Sequence, residues 1–260
     1  MAQLFDDVFN PQGIYEMLFF NSKTVLLYPK IDQLEKENKA LYERWLYQAK
    51  KFTIESDRDD AEYMQETYKQ NAIKYPEFSR VVAITYAKVY SEGGTLKRYM
   101  KKVRDEDELV VLKTFLEELY KISTEAVQST PNFFPILCGH NILNHDIPLL
   151  IKKCVQYKDQ LEKGIPLILK RSLGIKPWES GVIDTVDVWK FNGYDRMPLM
   201  LIADYLGLKK TVDLLPLDEV SQKYWEMVGD DAEKALEFVS LQSATQTNLV
   251  IQLINGLRQL

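Results

Sequence analysis

The chain has 260 residues, 46% hydrophobic and 27% charged, which suits one large globular domain and shows no Pro- or Gly-rich linker. With 33 basic and 38 acidic residues its formal charge is −5, so it has no global basic footprint, and any nucleic-acid affinity must be local. Cys138 and Cys154 are too few for a disulfide framework or a four-ligand zinc site, the opening MAQLFDDVFN is acidic where a secretory signal is basic, and no apolar run approaches the roughly 18 residues of a membrane span. These features predict a cytoplasmic protein with no membrane partner.

In chain order, Tyr15 to Phe20 is an apolar run suited to a buried strand, and the polar Asn21-Ser22-Lys23-Thr24 should sit at its exposed end. Asp32 to about Lys51 and Asp59 to about Lys74 repeat apolar residues at helical spacing, with Leu34, Leu41, Trp45 and Leu46 on one side. They predict a helical insertion at about 30–75 within a single domain spanning 1–260. Arg80 to Tyr90 and Thr95 to Val103, joined by Glu92-Gly93-Gly94, predict a hairpin. Lys97, Arg98, Lys101, Lys102 and Arg104 on it are read as a solvated strand edge before a nucleic-acid patch.

Asp105 to Ile122 is an amphipathic helix and Phe133 to Cys138 another buried strand. Beyond these come helices at Ile147 to Tyr157, Asp184 to Phe191, Pro198 to Leu206, Leu217 to Met227 and Asp230 to about Leu257, with a turn at Pro177. Asp184, in Asp-Thr-Val-Asp, is read as a helix cap and not a ligand. The four tryptophans, Trp45, Trp178, Trp189 and Trp225, are read as core residues. The fold class expected is α/β, one mixed sheet flanked by helices.

Leu137-Cys138-Gly139-His140-Asn141, followed by Asp146-Ile147-Pro148, resembles the second motif of the DEDD 3′-5′ exonucleases. Lys176-Pro177-Trp178-Glu179, Ile183-Asp184-Thr185-Val186-Asp187-Val188-Trp189-Lys190-Phe191 and Ala203-Asp204-Tyr205-Leu206-Gly207-Leu208 follow in the order of the family-B-polymerase-like branch. The resemblance runs from about Met17 to the last helix and implies a ribonuclease-H-like fold with its site at the end of the first strand. It further implies an Asp-x-Glu pair there, whose counterpart is Asn21-Ser22-Lys23, and a Tyr-x-x-x-Asp pair on the last helix, whose counterpart is Phe238 to Gln242.

Enzymes of that class hydrolyse phosphodiesters with two divalent ions held by carboxylate oxygens. Of the implied acids only Asp146 is present. Asn21 and Gln242 are neutral, Lys23 presents an ammonium with no lone pair, and Phe238 lacks the phenolic hydroxyl. The formal charges at Asn21, Lys23, Asp146 and Gln242 cancel, so no metal and no cofactor is expected, and Lys23 is expected to pair with Asp146.

A pseudoenzyme that works by binding follows from this. Its partner would be a single-stranded nucleic-acid 3′ end held by Lys23 and Asn141, or a protein met through the uncharged polar run of the last helix, Ser240 to Asn248. The alternative is an active 3′-5′ exonuclease on single-stranded DNA or RNA ends, using Mg or Mn through Asp146, Asn21 and Gln242. His140 and His145, which flank Asn141 and Asp146, are read as structural, His145 filling the position where the family packs an aromatic ring.

Overall fold

The computed structural model describes residues 8, 10, 12–129, 135–172, 181–191 and 193–259. Lys176 to Glu179, with the expected Pro177 turn and Trp178, lie outside the described residues, as do Phe133 and Phe134.

Five strands, β1 (Met17–Leu26), β2 (Ser79–Glu92), β3 (Thr95–Arg104), β4 (Ile136–Gly139) and β5 (Val182–Asp184), form one sheet in the order β3-β2-β1-β4-β5. Only β2 runs against the others, which makes the sheet mixed and the arrangement ribonuclease-H-like. Ten helices accompany it among the described residues. They are α1 (Ile31–Glu37), α2 (Lys39–Ala49), α3 (Ala61–Asn71), α4 (Glu108–Ser129), α5 (Asp146–Gln156), α6 (Leu167–Lys170), α7 (Thr185–Trp189), α8 (Leu199–Leu206), α9 (Leu217–Val228) and α10 (Ala232–Leu257).

β1 is the central strand and all ten of its residues are buried. Successive side chains leave a strand on opposite faces. Leu18 and Phe20 therefore enter one core with Phe115 of α4 and Leu150 of α5, while Met17 and Phe19 enter a second with Leu249, Val250 and Leu253 of α10. A third cluster, built on Trp45, Tyr68 and Phe78, belongs to the insertion α1–α3 and joins the sheet through Leu26. Trp45 is fully buried, with Tyr68 and Phe78 edge-on at 5.6 and 5.5 Å.

The strand differs from its expected extent. Asn21-Ser22-Lys23-Thr24 is not an exposed end: β1 continues to Leu26, and these polar residues lie in the middle of the sheet, paired with β2 from Thr85 to Val81. Helices on both faces supply partners for the Asn21 amide, Ser22 and Lys23, whereas Asn21 Oδ1 and Thr24 Oγ1 are buried without one. The expected insertion helix from Asp32 is two helices, because Asn38 leaves helical geometry and its side chain accepts the N–H of Leu41 to cap α2. β5 was not expected from the sequence.

Candidate functional site

β4 ends at Gly139, where a Cβ would meet Ile142 Cγ2 at 2.2 Å and the carbonyl of Phe20 at 2.8 Å. Only glycine allows the following turn to fold back so tightly on β1. Asn141 then takes a left-handed conformation, φ 64°, and the turn delivers Asp146 as the first residue of α5. Asp184 fixes this turn from the next strand. Its carboxylate accepts the N–H groups of Asn141 at 2.7 Å, Leu143 at 3.1 Å and Val186 at 3.0 Å, the last capping α7 as the sequence predicted. Burial lifts Asp184 to about 6, although these three donors pull against it.

Asp146 is 1% exposed, and its Oδ1 accepts from Ser22 N at 2.6 Å, Ser22 Oγ at 2.7 Å and Asn21 Nδ2 at 3.3 Å. His145 Nδ1 stands 3.5 Å from Oδ2. Burial alone would raise this carboxyl; His145 and the Ser22 donors outweigh it and hold it below the usual value. Lys23 does not pair with Asp146. Ser22 points to the α5 side of β1 and Lys23, one residue on, to the α10 side, where its ammonium donates to Gln246 Oε1 at 2.6 Å. Burial lowers Lys23 to about 8, against the attraction of the nearby Asp146 charge.

The last helix is engaged one turn later than its motif implied. Gln242 faces away, donating to the carbonyl of Asp213 at 3.1 Å and accepting from Leu215 N at 3.0 Å, so it ties down the loop before α9. Phe238 packs in the core between β2 and α9. Gln246 occupies the place expected for Gln242, and neither Gln242 nor Phe238 lines the depression above Asp146. Ser243 donates to the carbonyl of Asn21 at 2.9 Å, which locks α10 to β1.

The depression is open, about 580 Å³, and brings together Asn21, Lys23, Asn141, His145, Asp146 and Gln246, with Arg196 on its rim. Ser22, Gln246 and Arg196 were missed from sequence, and only the position of Ser22 between two motif residues hinted at its role. His140 is buried below, its Nδ1 3.0 Å from Thr185 Oγ1, and burial lowers it to about 4 despite a hydrogen bond to the Met197 carbonyl. Its partners, Thr185 and Met197, fix the ring at the wall of the depression.

Two divalent ions do not fit this donor set. Asp146 already spends one oxygen on three protein donors, and a lysine occupies the neighbouring position. Among the described residues no three His, Cys, Asp or Glu side chains gather as a metal site. Cys138 and Cys154 are free and buried, and burial pushes both thiols up, Cys154 to about 11. No helix of the described residues is long and apolar enough to cross a membrane. No protein-family profile, curated protein or solved structure matches this chain.

Proposed function

We propose that the chain is a DEDD-type exonuclease fold whose hydrolytic chemistry has been replaced by binding, at a cytoplasmic location. One observation carries this reading. The sole acid of the site has one oxygen taken up by Ser22 and Asn21, and beside it Lys23 brings a buried ammonium, tied to Gln246, in place of a second carboxylate. The depression then offers Lys23 and Arg196 to phosphate and Asn141 to a terminal sugar or base, a set suited to a single-stranded 3′ end held without turnover.

A protein partner on the last helix has lost its support, because the polar run of α10 is turned inward: Ser240, Gln242, Ser243, Thr245 and Thr247 are all buried. A labelled single strand incubated with magnesium or manganese tests the proposal. We expect no shortening, and we expect a linear strand to displace a bound strand better than its circularised form. Shortening that disappears in Asp146→Ala would establish the active alternative, and equal competition by the circle would remove the end-binding role.

A further inference from the structure

Along the hairpin, the register sets Tyr90 of β2 opposite Lys97 of β3 and Lys88 opposite Tyr99. Opposed residues share a face, and so do residues two apart, so these four side chains form a checkerboard of two rings and two ammonium groups on the α4 side of the sheet. Tyr90 is 47% exposed and Tyr99 59%, whereas Tyr86, on the same face of β2, is buried against Phe115 of α4. None of the four has a hydrogen bond, ion pair or ring contact among the described residues.

Their neighbours on β3 are different. Lys101 is neutralised by Glu118, Lys102 by Glu237, and Arg104 by Glu233 and Glu237. The opposite face of the hairpin is anchored, with Val89 buried and Leu96 and Met100 packed against the α10 core. The hairpin thus carries unpaired rings and charges only at its tip, with Glu92 at the turn as its own carboxylate on that face.

We propose that this face binds single-stranded nucleic acid, stacking one base on Tyr90 and one on Tyr99 while Lys88 and Lys97 neutralise phosphates. A diagonal separation of about 7 Å gives each ring room for its own base. Stacking accepts any base, and two lysines supply a local positive charge to a chain that is acidic overall. The inference goes beyond the proposed function and stands without it. The tip lies past the Phe19↔Ala87 pair, at the end of β1 away from Lys23 and the depression.

Fluorescence anisotropy of the full chain with labelled oligothymidylate and oligouridylate tests it, the two arms separating DNA from RNA. We expect binding of at least one, weakened roughly tenfold by each of Tyr90→Ala and Tyr99→Ala and kept by Tyr90→Phe and Tyr99→Phe. Salt dependence should be shallow, a log-log slope of about −1.4 for two phosphates, flattened by Lys88→Ala with Lys97→Ala and steepened by Glu92→Lys. Circular dichroism confirms that each variant is folded. Absence of binding, equal binding of a blunt duplex, or affinity that survives the double Tyr90→Ala/Tyr99→Ala variant overturns the inference. Loss of affinity in Lys23→Glu combined with retention in that double variant would place the strand in the depression, sinking the hairpin site and sparing the other.

Discussion

At Lys23 the protein holds an ammonium group in a place that disfavours it, and the cost should be visible in pH dependence. The folded value near 8 lies below the ordinary 10.5. Between those two values the unfolded chain keeps a proton that the folded chain has shed, so stability rises with pH across that window and is lowest, and level, below it. The urea midpoint should therefore climb between about pH 8 and pH 10, and Lys23→Met should flatten the climb while adding roughly 1–3 kcal/mol at neutral pH. A Lys23→Met variant with the wild-type slope would mean that the ammonium is well solvated. Ser22→Ala makes the opposite change. It removes one of the donors that hold the Asp146 carboxyl down, so it should cost roughly 1.5–3 kcal/mol in urea denaturation at neutral pH and shift the acid limb of stability upward. Neither role was readable from sequence, because the alternation that sends Ser22 to α5 and Lys23 to α10 matters only once both faces of β1 are known to be covered.

Registers of elements set the next scale. Gln242 and Gln246 are one helical turn apart, and the polar spacing of α10 admits either as the residue facing β1; the choice is made by where the helix packs, through Ser243 on Asn21. Restoring acids distinguishes the two. Asn21→Asp with Lys23→Glu and Gln246→Asp should give a protein whose melting temperature rises with manganese, whereas the same change made at Gln242 should not. Equal response of both sets would refute the register. Asp184 likewise joins elements, since one carboxylate serves the turn after β4 and the start of α7. In Asp184→Asn an amide N–H must face a backbone N–H, and the loss should be about 2–3 kcal/mol by chemical denaturation. The capping role was legible from the Asp-Thr-Val-Asp pattern; the second role, to the turn at Asn141, was not, because β5 has three residues and leaves no period to read. The hairpin, by contrast, was legible almost to its ends, since β-branched runs and a Gly-Gly turn act locally.

Across the whole molecule, the sheet carries three hydrophobic clusters, one of them shared with α9 and α10 around Phe238, and the insertion carries its own. Helical periodicity alone identified that insertion, because amphipathic spacing is a local property, whereas the five-strand order depends on contacts far apart in the chain. Trp45 is the centre of the insertion's cluster, and Trp45→Ala should cost roughly 3–5 kcal/mol there. Limited trypsin digestion should then cut first near Lys50, Lys51 and Arg58, while the sheet resists. Simultaneous loss of the whole chain would show instead that the insertion and the sheet unfold together.

The contact of Ser243 with Asn21 joins positions 222 residues apart. A ribosome adding about 5–20 residues per second emits β1 roughly 10–40 seconds before the helix that must cover its polar centre. During that interval the nascent chain carries Asn21, Lys23 and Thr24 with water as their only recourse, and the first strand cannot settle into a dry sheet. Final assembly therefore waits on the emergence of α10, and the sequence elements that look most like a recognition site are also the ones that delay maturation.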